Sequence, residues 1–329
     1  IQTQSLAVLR RNFRFRLLVC VEVLTVALGL VTAVALGLAG YGAFALVWQT
    51  AISSLSQALI LFFLRPMTFE SGFSRESAKR LLRFTLPMIL MSVIDHVASY
   101  LDRAILGTEL GMTSLGSYDR TVAFVNQVPA RLVSPLGSLY HSQLSRLAGM
   151  PREFERHFLR CYTMSLFIVV GLESFVVIFP NEALSIFFGQ QNTEDVAGVA
   201  GVLALGAVFE VAAISRNWVF LSLGRTKDVA VLGAVSAGII IFLTAILAPF
   251  GMQAAALAKL LAFLSVSAFS GYWLNSFVPG IWRRLVSHLG LAVMVAGVGG
   301  FLVFLLRPSI STGTPSYDLA SLVALYLTV

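Results

Sequence analysis

The sequence predicts an all-α membrane protein whose helices cross the bilayer several times. Hydrophobic residues are 57% and charged residues only 12% of the 329 residues, whereas soluble domains are about 45–50% apolar and about 25% charged. The apolar residues are gathered in segments of about 20, the length a helix needs to span the hydrocarbon core. A helix also satisfies its own backbone hydrogen bonds in lipid. The composition therefore excludes a soluble enzyme, and it excludes a nucleic-acid partner despite the net charge of +7.

Ten segments are apolar enough to be predicted as membrane-spanning helices. In chain order they are 16–38, 43–64, 84–107, 114–138, 159–180, 198–222, 229–250, 253–274, 289–307 and 317–329. The last segment stops at Val329, inside an apolar run, and the chain begins with Ile1 rather than Met. We therefore expect the sequence to be an internal fragment of a longer membrane protein.

The connections between these segments alternate between short, nearly uncharged turns and longer basic loops. Most of the 23 Lys and Arg residues fall in one set of alternate loops, and Arg307 is the one basic residue of the opposite set. The positive-inside rule then places the N-terminal end and the basic loops in the cytoplasm. Within these loops, 74–84 and 152–160 have the pattern of helices lying on the membrane surface, and we interpret 65–83 as a cytoplasmic interfacial linker.

Several predicted spans carry one polar stripe each, and their residues recur at helical spacing. Pro129 and Pro135 are expected to kink the fourth span. Several polar stripes favour a bundle around a hydrated cavity; the alternative is a closed interior with pairwise salt bridges, such as Asp102 with Arg120. The stripes comprise Ser92, Asp95, Ser99 and Asp102 in the third span, Arg120, Gln127, Arg131, Ser134 and Ser138 in the fourth, Glu210 and Asn217 in the sixth, and Lys259 and Ser270 in the eighth.

Charged residues at bilayer depth mark functional sites by default, and Arg131 is the foremost of them. A guanidinium there offers a fork of donors that suits phosphate oxygens; the alternative is that Arg131 extends towards the cytoplasmic headgroups. Asp95, Glu173 and Glu210 are candidate sites for a coupling ion, although Glu173 also fits a protonated structural carboxyl. Metal-ligand spacing and nucleotide-binding loops are absent from the sequence, so we expect no metal and no cofactor.

Three stretches of the sequence resemble Wzx-type polysaccharide flippases. The segment Leu36–Val47 is similar to a Gly-rich segment of that family, and Arg10–Phe15 resembles its basic loop before the fifth helix. Asp102–Gly107, followed by Leu115–Tyr118 and Pro129, resembles a family signature. The family belongs to the multidrug/oligosaccharidyl-lipid/polysaccharide exporter superfamily.

The resemblance implies a two-lobe transporter bundle in the bacterial inner membrane, with an incomplete N-terminal lobe that lacks about four helices. Residues 1–64 would be the last two helices of that lobe, 84–274 the six-helix C-terminal lobe, and 275–329 two additional helices. The implied activity is transfer of an undecaprenyl-pyrophosphate-linked oligosaccharide to the outer leaflet by alternating access. By position, the basic residues Arg131, Arg120, Arg216 and Lys259 would hold the pyrophosphate, with Asp102 and Gln127 beside them in the cavity.

Two other functions stay open at this point. The first is a cation-coupled multidrug exporter of the same superfamily, which would use Asp95, Glu173 or Glu210. The second is a membrane enzyme acting on lipid-linked sugars, although the longest outer loop, 181–197, offers only acidic groups. We expect a transporter rather than an enzyme, with membrane lipids and polysaccharide polymerase machinery as further partners.

Overall fold

The computed structural model describes Leu6, Leu9 and the ranges 15–42, 44–64, 74–127, 129–188 and 194–310. Every regular element in these ranges is helical. Eight helices of the described part are long and apolar enough to cross a membrane, so the prediction of an all-α polytopic protein is confirmed. The chain divides into two compact units, Ile1–Arg75 and Glu76–Val329.

The first unit is a pair of packed helices, α1 (Phe15–Leu38) and α2 (Phe44–Leu64). They coincide with the first two predicted spans. A Cβ on Gly29 of α1 would overlap the hydroxyl of Ser53 on α2. The small residue therefore lets the two helices approach closely, which is how helices commonly associate in lipid.

The second unit is built around one long central helix. Its elements are α3 (Arg75–Leu110), α4 (Met112–Val125), a π-helix (Pro129–Val133), α5 (Ser134–Leu147), α6 (Pro151–Ile178), α7 (Pro180–Phe188), α8 (Glu194–Ser222), α9 (Thr226–Leu247), a 3₁₀ turn (Ala248–Phe250), α10 (Met252–Asn275) and α11 (Ile281–Ile310). The central helix α8 packs against α4, α5, α6 and α10, while α9 packs on α10 and α11 on α6. Residues that line a space beside α8 are therefore held by several helices at once.

The fourth predicted span, 114–138, differs from the prediction because it is not one helix. The α-helical hydrogen-bond pattern stops at Val125 and resumes at Ser134, with the π-helix from Pro129 between them. Proline lacks the backbone N–H that a continuous helix needs, which accounts for the break at Pro129. Pro135 lies in the first turn of α5, where that donor is not required. The predicted polar stripe is interrupted at the same place.

Two basic segments predicted to lie on the membrane surface are instead the first turns of longer helices. Residues 75–84 continue into the third span as part of α3, and 152–160 belong to α6. Similarly, α11 begins at Ile281, two turns before the predicted ninth span. The tenth predicted span, 317–329, lies outside the described residues.

Helix α11 makes a close contact with α10 at Gly271. A Cβ at this position would overlap the ring of Trp282 and lie 2.9 Å from the Arg216 guanidinium. Asn275 holds the turn before α11, because its Oδ1 accepts hydrogen bonds from the backbone N–H of Gly280 and Trp282. The start of α11 is therefore fixed on α10 by the Trp282 contact at Gly271 and by the Asn275 side chain.

The close contact at Gly271 leads to a stability prediction. Gly271→Ala is expected to lower the free energy of unfolding by about 1–3 kcal/mol, because the added methyl group overpacks the Trp282 contact. The measurement is the apparent melting temperature of the purified protein in detergent. Gly290→Ala in α11 is the matched control, since a Cβ there meets nothing within 4 Å. Equal melting temperatures for the two variants would contradict the prediction.

Candidate functional site

A cavity of about 400 Å³ lies between α3 and the helices α8, α9 and α10, with α4 along one side. Its polar lining residues are Asp95, Ser99, Asp102, Asn126, Glu210, Asn217, Ser236, Lys259 and Ser270. The other lining residues are mostly apolar, including Met91 and Phe263. A cavity of this size with a few convergent polar groups has the character of a ligand site.

Asp102 and Lys259 form an ion pair in the wall of this cavity. The Lys259 Nζ lies 3.1 Å from Asp102 Oδ2, and the two side chains are only 17% and 7% exposed. Thr244 on α9 donates its hydroxyl proton to Asp102 Oδ1 over 2.7 Å. Asp102 therefore does not pair with Arg120, the partner considered for it from the sequence, and Arg120 is exposed.

The carboxyl groups outnumber the cationic groups in this cavity. Asp95, Asp102 and Glu210 face a single ammonium, that of Lys259. Lys259 pairs with Asp102 and also interacts electrostatically with Glu210, so three carboxyl groups share one positive charge. Asp95 is exposed and Glu210 is half-buried. An excess of carboxyl groups along one cavity favours the binding of a small cation over that of an anion.

A second cavity, of about 490 Å³, lies between the π-helix, α5 and α8. Its lining includes Ser134, His141 and Trp218. Asn126, Glu210 and Ile214 line this cavity as well as the first one. Glu210 is therefore the ionisable group that both cavities share.

Arg131 lies in the π-helix and is exposed. Its Nε donates a hydrogen bond to Gln127 Oε1 over 3.2 Å. In the described part of the chain, no carboxylate lies within ion-pair distance of Arg131, and the linings of the two cavities include neither Arg131 nor Gln127. The remaining guanidinium donors are therefore available to a ligand at the surface of the bundle.

Arg216 and Glu173 are enclosed in the bundle rather than facing a cavity. Arg216 is 1% exposed; its Nη2 donates to Ser267 Oγ over 2.6 Å, and its Nε has no partner in the described part. Glu173 is also 1% exposed, and neither of its oxygens has a hydrogen-bond partner among the described residues. Glu173 and Glu210 interact electrostatically. Buried polar groups without partners are uncommon and costly.

The structure therefore brings together some of the sequence-predicted site residues and separates others. Asp95, Asp102, Glu210 and Lys259 line one cavity. Arg131, Gln127 and Arg120 are exposed outside it, and Arg216 and Glu173 are enclosed. Thr244 and Asn126 were not predicted as site residues, and Tyr118 was named only within the family signature. A single polar residue in an apolar helix gives no signal of this kind, since its hydroxyl or amide usually bonds to its own backbone.

The fold is similar to the folds of two solved membrane transporters. A solved structure described as "Lipid II flippase MurJ, inward closed conformation" is similar with a TM-score of 0.65 and 14% identity, over 98% of this chain and 68% of that chain. A second, described as "Crystal structure of MATE in complex with MaL6", has a TM-score of 0.64 and 14% identity, over 80% of this chain and 62% of that chain. No curated protein sequence matches the chain.

A family model described as "Polysaccharide biosynthesis protein" matches residues 1–197. The chain belongs to this family. With the transporter fold, the match confirms the resemblance to polysaccharide flippases of the exporter superfamily. The protein is thus a multi-pass membrane protein of polysaccharide biosynthesis.

Proposed function

We propose that this chain moves a polyprenyl-pyrophosphate-linked oligosaccharide, with undecaprenol as the lipid, from the cytoplasmic to the outer leaflet by alternating access. The observation that carries the proposal is the exposed guanidinium of Arg131, oriented by Gln127 at a break in a helix. Arginine binds phosphate oxygens with two parallel hydrogen bonds, and π-helices often occur at functional sites. Family membership supports the polysaccharide, and the similarity to a lipid II flippase supports a lipid-linked substrate.

The physical need for such a transporter follows from the substrate. A pyrophosphate with attached sugars cannot cross about 30 Å of hydrocarbon unaided. A polar path shields this headgroup while the polyprenyl tail stays in lipid. Arg131 and Arg120 are the residues that we propose for the pyrophosphate. Lys259, Arg216 and Asp102, predicted alongside them, are engaged with other residues of the bundle.

The direction of transport rests on the proposed orientation of the chain. Basic residues crowd the turns at one end of the helices, and the positive-inside rule favours the cytoplasm for that end. We propose the bacterial inner membrane as the location and the polysaccharide polymerase machinery as the partner that takes the product.

The experiment that tests the function follows the oligosaccharide in cells from which the gene has been deleted. We expect surface polysaccharide to disappear and the lipid-linked oligosaccharide to accumulate. The accumulated oligosaccharide should face the cytoplasm. An added glycosidase should therefore cleave it in inside-out vesicles and leave it intact in right-side-out vesicles. Restoring the gene provides the control. Unchanged surface polysaccharide in the deletion strain would contradict the proposal.

The second candidate function is a cation-coupled multidrug exporter. One observation favours it: the 400 Å³ cavity is lined by the carboxyl groups of Asp95, Asp102 and Glu210 but by only one cationic group, that of Lys259. Such a cavity attracts cations, including many drugs. A panel of cationic drugs separates the two functions. Increased drug sensitivity of the deletion strain, with normal surface polysaccharide, would support the exporter instead.

The same carboxyl groups also have a role in the flippase. A ligand drives a change of state only if it binds the two states differently. We propose that a cation bound at Asp95 or Glu210 couples an ion gradient to the movement of the lobes. Glu173 would assist through its electrostatic interaction with Glu210.

A further inference from the structure

The ammonium of Lys259 is surrounded by groups from three other helices. Asp102 of α3 contributes the carboxylate, and Thr244 of α9 orients that carboxylate by a hydrogen bond. The ring of Tyr118, on α4, has its centroid 5.1 Å from the Lys259 Nζ. A carboxylate attracts a cation by its charge, and an aromatic face attracts one through the ring quadrupole.

These groups are fixed more firmly than an ordinary surface ion pair would require. Tyr118 is fully buried and Asp102 is 5% exposed. Lys259 also lines the 400 Å³ cavity, so small ions in that cavity have a path to the ammonium. The arrangement has the ligands, the rigidity and the access of a cation site.

We propose that Asp102, Thr244 and Tyr118 form a monovalent-cation site that the chain fills with its own Lys259 ammonium. Lys259 is then a tethered cation that joins α3 and α10, and it leaves the site closed to free cations. A cation from solution enters this site only when the lysine side chain is removed. The inference goes beyond the proposed function, because it concerns an internal site and makes no claim about the substrate.

Lys259 and Asp102 were predicted to bind substrate, and this proposal instead makes them an internal cation and its ligand. The charge of Lys259 is already neutralised by Asp102, so Lys259 offers little attraction to a pyrophosphate. The capacity of the cavity to bind an external cation then falls to Asp95 and Glu210, the other two carboxyl groups of its lining. Lys259 also interacts electrostatically with Glu210, so the tethered ammonium affects the acidic groups of the same cavity.

The experiment removes the lysine and supplies the missing part of its side chain from solution. Lys259→Ala deletes the equivalent of a propylammonium ion. The apparent melting temperature of the purified variant is measured in propylammonium chloride, sodium chloride and choline chloride of equal concentration. We expect propylammonium or sodium to raise it by about 2 °C or more relative to choline, because a ligand that binds only the native state stabilises it. The unaltered protein should not show this difference.

Two further variants distinguish a cation site from a simple loss of packing. Lys259→Met fills the space with an uncharged side chain and should not respond to the cations. In the double variant that combines Lys259→Ala with Asp102→Asn, propylammonium and sodium should no longer raise the melting temperature relative to choline. If Lys259→Ala is not recovered from membranes, Lys259→Ser is measured in the same way. An equal response to all three salts in the small-residue variant, or the same response in the unaltered protein, would overturn the proposal. Because stability is measured rather than export, the result does not depend on the flippase assignment.

Discussion

Replacing Arg131 with alanine is expected to reduce polysaccharide export on the order of 100-fold, which corresponds to the loss of two charge-assisted hydrogen bonds to the pyrophosphate. The donors of this guanidinium other than Nε are not engaged by an acidic residue in the described part of the chain. The alanine variant should fold normally, because Arg131 is exposed and its one hydrogen bond is to its neighbour Gln127. The measurement is surface polysaccharide per cell, normalised to the amount of protein in the membrane.

Two companion variants make the Arg131 result specific. Arg131→Lys keeps the charge but loses the planar fork, so it should retain partial export. Arg152→Ala removes another exposed arginine, in the first turn of α6, and should leave export unchanged. If Arg131→Ala exports at the normal level, or if Arg152→Ala is equally impaired, Arg131 has no special part in substrate binding.

The second large effect is expected for Glu210→Gln, which replaces the carboxyl group shared by both cavities with a neutral group of the same shape. Export by this variant should no longer increase when a proton or sodium gradient is imposed. The expected loss is about 5–150-fold, the usual range for a coupling between two sites. The measurement is the rate of headgroup transfer in vesicles with and without an imposed gradient.

Carboxyl groups elsewhere in the bundle provide the comparison for Glu210. Glu109→Gln alters an exposed residue near the end of α3 and should leave the gradient response intact. Glu173→Gln tests the enclosed carboxyl that interacts with Glu210. Loss of coupling in both Glu210→Gln and Glu173→Gln would assign the cation to the pair, whereas loss in Glu210→Gln alone would assign it to Glu210. A full gradient response in Glu210→Gln would contradict its proposed role.

The helices could be predicted from the sequence because the apolar segments are long and separated by charged turns. Their ends were harder to predict. Residues 75–84 have the pattern of a surface helix, yet they run on into α3 without a break. Periodicity does not distinguish these cases, because a helix keeps the same spacing whether it bends at the headgroups or continues. The prolines of the fourth span did indicate an interruption, but not the π-helix that forms there.

The composition of the cavity could be predicted only in part. Polar stripes identified Asp95, Asp102, Glu210 and Lys259 as inward-facing residues, and they do share a cavity. Helical phase does not say which residues of different helices meet, so the pairing of Asp102 with Lys259 was not predicted. Arg131 was expected in the same cavity as Lys259. Arg131 lies in the π-helix that interrupts the helical phase of this stripe, and it does not line that cavity. Gln127, which precedes the break, does not line it either.

The π-helix at Pro129–Val133 has a consequence for how this part of the bundle can rearrange. A π-turn contains one residue more than an α-turn, and one residue corresponds to about 100° of rotation about the helix axis. Shifting that extra residue along the chain would swivel Arg131 by about this angle while both flanking helices kept their places. A swivel of this kind could carry a bound phosphate from one side of the helix to the other without sliding any helix along its neighbours.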